Sequence, residues 1–241
     1  MSDVSAAVRR RYAAAARRMS GPEARSDAEC GCGGYAAHQL IQVGIQQSVS
    51  LGCGNPTLLA QLKPGETVLD LGSGGGLDVL LSARRVSPGG HAYGVDFTDE
   101  MLAVARRHQV DAGVENATFL KGSIESLPLD DGLVDVVISN CVINLSENKP
   151  QALHEAFRVL RPGGRLAIAD MVALKDLPVE ARTSTAWSEC VAGAISPPTY
   201  RDLLLAAGFE DVSIEVHARH AVAGVPDALG SAYVRARKPA A

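Results

Sequence analysis

Apolar runs and helical stripes alternate along most of this chain. Val4 to Met19 carries alanines, Tyr12 and an arginine face at Arg9, Arg10, Arg11, Arg17 and Arg18, and Ser20-Gly21-Pro22 ends it, which predicts a helix. The glycine-rich stretch Cys30-Gly31-Cys32-Gly33-Gly34 is expected to be irregular, with a second helical stretch near Tyr35 to Ser48 and a loop at Leu51 to Pro56. From Lys63 the pattern changes. Thr67-Val68-Leu69-Asp70-Leu71-Gly72 is a short apolar run suited to a strand covered on both faces. Further strands are expected at His91 to Phe97, Ala117 to Gly122, Val134 to Asn140 and Arg165 to Asp170. Helices are expected at Leu77 to Arg85, Asp99 to Ala112, Gln151 to Leu160 and Pro198 to Ala207. Gly113 caps the second of these, and Pro162-Gly163-Gly164 stops the third. Two late strands, Val212 to Val216 and Ala232 to Arg237, have no helix between them.

Strand–helix alternation implies right-handed βαβ units. The expected fold is therefore α/β: a doubly wound, mostly parallel seven-stranded sheet. Residues 1–62 form an N-terminal helical and loop cap that carries Cys30, Cys32 and Cys53. Residues 63–241 form the main domain. The two late strands close one edge of the sheet as an antiparallel pair.

Composition narrows the function classes. The chain has 241 residues, a formal net charge of −4 and 4% aromatics, which disfavours both a phosphate-backbone grip and a base-stacking role. No secretory signal and no apolar run of membrane-spanning length is visible, so a cytoplasmic protein with reduced thiols is expected, with no nucleic-acid and no membrane partner. The five cysteines fit no disulfide framework.

Asp70-Leu71-Gly72-Ser73-Gly74-Gly75-Gly76 follows the first strand and opens a helix, where glycines let the backbone turn sharply and approach a ligand. Asp96 stands 26 residues after Asp70, at the end of the second strand, where a carboxylate can accept ribose hydroxyls. Nicotinamide enzymes use a similar loop. Asp70, acidic beside the loop, and the terminal strand pair favour S-adenosylmethionine instead. The plainer account of these glycines is that they pack a helix on a strand.

Beyond these generic features, the chain resembles the S-adenosylmethionine-dependent arsenite methyltransferases, within the class I, Rossmann-like methyltransferases. The generic part is Val68 to Gly74 with Leu160-Arg161-Pro162-Gly163-Gly164. The specific part is Gly52-Cys53-Gly54-Asn55-Pro56, Ile138 to Leu145 around Asn140-Cys141, and Trp187-Ser188-Glu189-Cys190. The resemblance implies that Cys53, Cys141 and Cys190 bind trivalent arsenic, with Cys190 in an arsenic-binding segment of the main domain, and that Cys32 serves a disulfide relay in which Cys30 can share. It implies a cofactor site at Asp70, Gly72, Ser73, Gly74, Asp96, Phe97, Met101, Ile124, Glu125 and Asn140. The implied substrate is trivalent arsenic delivered as a thiol conjugate, and an external reductant of thioredoxin or glutathione type restores the thiols. Two departures stand out: Gly76-Leu77 replaces an aromatic that many relatives carry, and many relatives extend further past the strand pair.

The residue types suit that chemistry. Arsenic(III) is soft and thiophilic, and thiolates are the soft side-chain ligands. For any one cysteine alone, a small buried hydrophobe is the plainer account. Cys30-x-Cys32 with His38 is too tightly spaced for a usual zinc knuckle, and His217 and His220 read as a solvent-facing pair after a strand. The arginine helix reads as a solvated face or as a lid carrying Tyr12, and Trp187 as core or as pocket wall.

Overall fold

The computed structural model describes residues 3–19, 43 and 54–240. The expected helix at Tyr35 to Ser48 (Val43 apart), the glycine-rich stretch and Cys30, Cys32 and Cys53 lie outside the described residues.

Seven strands form one sheet: β1 (Thr67–Leu71), β2 (His91–Asp96), β3 (Ala117–Lys121), β4 (Val134–Asn140), β5 (Leu160–Ala173), β6 (Glu210–Val222) and β7 (Val225–Arg237). Their order is β3-β2-β1-β4-β5-β7-β6. The first five are parallel, and β7 pairs antiparallel with both β5 and β6. The expected doubly wound sheet and its antiparallel edge pair are both present. Chain order reverses between β1 and β4, and the crevice at the carboxyl ends of those two strands is where ligands of open α/β sheets bind.

The helices are α1 (Asp3–Met19), α2 (Pro56–Leu59), α3 (Leu77–Val86), α4 (Asp99–Ala112), α5 (Lys149–Val159), α6 (Ser184–Ser188) and α7 (Pro197–Ala206). The largest core cluster joins Leu69, Leu71, Val137 and Ile168 of the sheet to Leu153 and Ala156 of α5 and to Tyr200 and Leu204 of α7. On the other face Leu80 and Leu81 of α3 meet Leu102 and Ala105 of α4. No helix among the described residues is long and apolar enough to cross a membrane.

Several boundaries differ from the sequence expectation. β5 runs on to Ala173, which carries Asp170 and Met171 to the ligand end of the sheet. β6 and β7 are each 13 residues long and meet in a two-residue turn at Ala223-Gly224. His217 and His220 therefore lie within β6 and not after it. His217 stacks on Tyr233 with ring centroids 4.2 Å apart, and His220 Nε2 is 2.8 Å from Ser231 Oγ. Neither belongs to a metal-binding cluster among the described residues.

Candidate functional site

The glycine loop after β1 is folded by left-handed residues. Gly72, Gly74 and Gly76 have φ of +67°, +48° and +87°, a region costly for residues with a Cβ. Packing accounts for two of them. A Cβ on Gly72 would meet Val142 at 2.6 Å, and one on Gly76 would meet Phe119 at 2.7 Å. At Gly74 nothing lies within 4 Å, so this glycine faces open space. The account of the loop as simple helix–strand packing thus holds for Gly72 and Gly76 and fails at Gly74.

Carboxylates surround the loop. Asp96 Oδ2 accepts the Gly74 N–H at 2.9 Å and its Oδ1 accepts the Thr98 N–H at 2.8 Å. Burial pushes the Asp96 carboxyl upward, and these backbone donors pull it back. Asp70 is held well above the usual carboxylate range, first by burial and then by the charges of Asp78 and Asp96. Three acidic groups converging on a loop with open space make a site suited to a cationic ligand.

The second half of the site is at the end of β4. Asn140 clamps Gly54: its Oδ1 accepts the Gly54 N–H at 3.2 Å and its Nδ2 donates to the Gly54 carbonyl at 2.8 Å. Nδ2 also lies 3.4 Å from Asp78 Oδ2. Asn140 therefore ties the residue after Cys53 to both the strand end and the carboxylate group. Cys141 follows, buried, with φ +58°. It is in the disulfide form. Cys190, 49 residues onward, is a buried thiol with φ +61° whose Sγ donates to the Cys141 carbonyl at 2.9 Å. Two of the three expected arsenic ligands are thus neighbours, and both sit in a backbone region that costs about 1–3 kcal/mol for a non-glycine residue.

A polar layer absent from the sequence expectation supports this corner. Asn144 Nδ2 donates to Asp170 Oδ1 at 2.8 Å and to the Met171 carbonyl at 2.6 Å. Burial lifts the Asp170 carboxyl to about 7, opposed by the Met171 N–H and the Lys149 charge. The Tyr200 hydroxyl faces Asp170 Oδ2 at 3.5 Å, and burial pushes that phenol upward. Lys149 is buried, its ammonium lowered by desolvation and sustained by Asp170. One sequence feature marks Lys149: a cation in the first turn of α5 opposes the helix dipole, so it needs another partner.

The other expected cofactor residues occupy varied settings. Ser73 gives its N–H to the Val95 carbonyl at 3.0 Å. Phe97 is half-buried directly after Asp96. Met101 is buried on α4 beneath Tyr12, Ala16 and Met19 of α1. Ile124 joins the main core, and the Glu125 carboxylate takes the hydroxyls of Ser123 and Ser146. The arginine face of α1 meets acids of its own chain. Arg11 pairs with Glu189 at 2.8 Å and Arg17 with Glu100 at 3.4 Å. The helix lies over α4 and α6 as a cap, and the solvated-face account is incomplete. Trp187 is partly buried and gives its indole N–H to the Leu145 carbonyl at 3.1 Å.

Residues 62–214 match the family described as a methyltransferase domain. The arsenic(III) S-adenosylmethionine methyltransferase from Chlamydomonas reinhardtii has a similar solved structure, 34% identical with a TM-score of 0.70, covering 85% of this chain and 74% of that one. This chain belongs to the arsenite methyltransferase family. An arsenite methyltransferase of Halobacterium salinarum is 42% identical over 216 residues, 86% of this chain and 55% of the relative. The human arsenite methyltransferase is 41% identical over 138 residues, 53% of this chain and 37% of the relative. The chain thus spans about half or less of the length of these curated family members.

Proposed function

We propose that this protein methylates trivalent arsenic with S-adenosylmethionine as methyl donor. The observation that carries the reading is the Cys190 thiol set on the Cys141 carbonyl, beside a carboxylate-ringed glycine loop. The donor supplies an electrophilic methyl group on a cationic sulfonium. Asp70, Asp78 and Asp96 favour that cation. Gly72, Ser73, Gly74, Asp96, Phe97, Met101, Ile124 and Glu125 form its binding wall. Asp96, already oriented by the Gly74 and Thr98 N–H groups, would accept the ribose hydroxyls.

Arsenic is the substrate, held by Cys53, Cys141 and Cys190. Three thiols displace the three hydroxyls of arsenous acid and release three waters. Because Cys141 is in the disulfide form, loading starts from the reduced protein. The bound arsenic keeps a lone pair and needs no base. The protein's contribution is alignment, which can supply about 7–11 kcal/mol in favourable cases. The arsenic–carbon bond would form as the donor's carbon–sulfur bond breaks, leaving a neutral thioether and a formally pentavalent arsenic. Two electrons from a thiol pair that includes Cys32 return it to the trivalent state, with a disulfide left behind. An external reductant of thioredoxin or glutathione type then restores the thiols. In this scheme residues 1–62 cap the methyltransferase domain of residues 63–241.

The test is arsenic speciation by chromatography with mass detection, after reduced protein is incubated with arsenite, S-adenosylmethionine and a thiol. Methylated arsenic is expected, and Cys141→Ser should abolish it while cofactor binding survives. Unmethylated but bound arsenic would indicate sequestration. Full activity in Cys141→Ser would refute the thiolate site.

A further inference from the structure

Three successive carbonyls follow the Cys141 turn, and two side chains take all of them. Lys149 Nζ donates to the Asn144 carbonyl at 3.3 Å and to the Ser146 carbonyl at 2.8 Å. The carbonyl between them, Leu145, accepts the Trp187 indole N–H at 3.1 Å. The same ammonium lies 4.9 Å from the centroid of the Trp187 ring. Trp187 in turn accepts the Cys190 N–H on its own carbonyl at 3.0 Å. A continuous set of contacts therefore runs from the segment after Cys141, through Lys149 and Trp187, to Cys190. Lys149 is 7% exposed, so its attraction to the ring is little weakened by water.

We propose that Lys149 is a positioning residue for arsenic binding, acting through Trp187 to hold Cys190 in register with Cys141. This inference rests on the reading of those cysteines as arsenic ligands. Without the ammonium the Asn144 and Ser146 carbonyls lose a buried donor, and the indole loses the cation above it. The Cys190 segment then loses one of its supports, the indole–Leu145 bond and the thiol–Cys141 contact remaining. The glycine loop is not part of this set of contacts, and the cofactor wall meets it only where the Ser146 hydroxyl donates to Glu125, so arsenite binding should suffer more than cofactor binding.

The experiment uses the reduced full-length chain, in which Trp187 is the sole tryptophan. Lys149→Met removes the charge at similar length, and Lys149→Arg restores a cation over the ring. Lys149→Met should raise acrylamide quenching of Trp187 and weaken arsenite binding by up to about thirtyfold, the factor for a desolvated cation–π contact of about 2 kcal/mol. S-adenosylmethionine affinity should fall by much less than arsenite affinity, and Lys149→Arg, which keeps a cation able to stack on the ring, should recover part of the arsenite affinity. Wild-type arsenite affinity in Lys149→Met, or no recovery in Lys149→Arg, overturns the proposal. If Lys149→Met does not fold, Trp187→Phe decides. It keeps a ring but loses the N–H, and unchanged arsenite affinity there overturns the route through Trp187. If wild-type protein binds no arsenite, the proposed function fails, while the quenching measurement, which needs no arsenic, still decides the Lys149–Trp187 contact.

Discussion

Gly193→Ala offers a sharp perturbation of the thiol corner. Gly193 stands three residues past Cys190, where the chain crosses the 3-10 turn Ile143–Leu145. A Cβ there would lie 2.0 Å from the Asn144 carbonyl oxygen and 3.1 Å from Trp187 Cε2. The first neighbour is backbone, anchored by Lys149 Nζ, so it cannot rotate away. Restoring even a 3.0 Å contact requires a separation of about 1 Å between the two segments. Overpacking of this kind costs about 1–3 kcal/mol. A misplacement of about 1 Å at reacting groups can cost about a hundredfold in rate. The expected outcome is a lower urea midpoint, a larger loss of arsenite affinity by calorimetry on reduced protein, and unchanged S-adenosylmethionine affinity. If Gly193→Ala unfolds at the wild-type midpoint, the close packing has no energetic weight. If its stability falls but arsenite affinity does not, the packing is not what sets the cysteine register.

Two further perturbations test the supports above and below this corner. Asp170 is lifted by burial from an ordinary 3.8 to about 7, so the folded state holds its proton more tightly than the unfolded chain does. The stability from this group is complete below about pH 4 and is lost as pH rises through about 7, a span worth about 4 kcal/mol. Asp170→Asn should gain stability relative to wild type across that window in urea titrations, and parallel pH profiles would contradict the assignment. The Arg11–Glu189 pair is solvent-exposed, so breaking it should cost less than about 1 kcal/mol. Arg11→Glu should nonetheless speed tryptic cleavage within α1 by repelling Glu189. The double exchange Arg11→Glu/Glu189→Arg should restore protection, and equal cleavage in all forms would show that α1 is not held by this contact.

The central strands were legible because burial on both faces leaves short apolar runs, as in Val136-Val137-Ile138 of β4. The edge hairpin was only half legible. Along β6, exposed Ser213, Glu215, His217 and Arg219 alternate with more buried neighbours, and register shifts break the pattern. Its turn places Ala223 and Gly224 at φ +47° and +79°, where Asn-Gly is the usual mark of a two-residue turn. An alanine there gives no warning. The α6 helix is five residues long, too short for any periodicity, and is held by the Thr183 cap on Ala186. Motif spacing marked the glycine loop, and the family resemblance singled out the cysteines. Neither carried information on Asn140 clamping Gly54, because that contact spans 86 residues and the Gly54 side of it is backbone alone.

The left-handed cysteines explain why the supporting residues matter more than their distance from the chemistry suggests. Cysteine has no preference for φ near +60°, and a relaxed chain would leave that region at both positions. Such conformations persist only where the surroundings over-determine them. At Cys141 the sheet supplies one constraint: its N–H is fixed to the Ala169 carbonyl at 2.8 Å, continuing the β4–β5 pairing past the strand end. At Cys190 no strand does this. Its segment is held from below by Trp187 on the Leu145 carbonyl, with Gly193 making room, and from above by Arg11 on Glu189. The two cysteines should therefore respond differently to distant change. Perturbing Lys149, Gly193 or Arg11 should displace Cys190 while leaving Cys141 on the sheet.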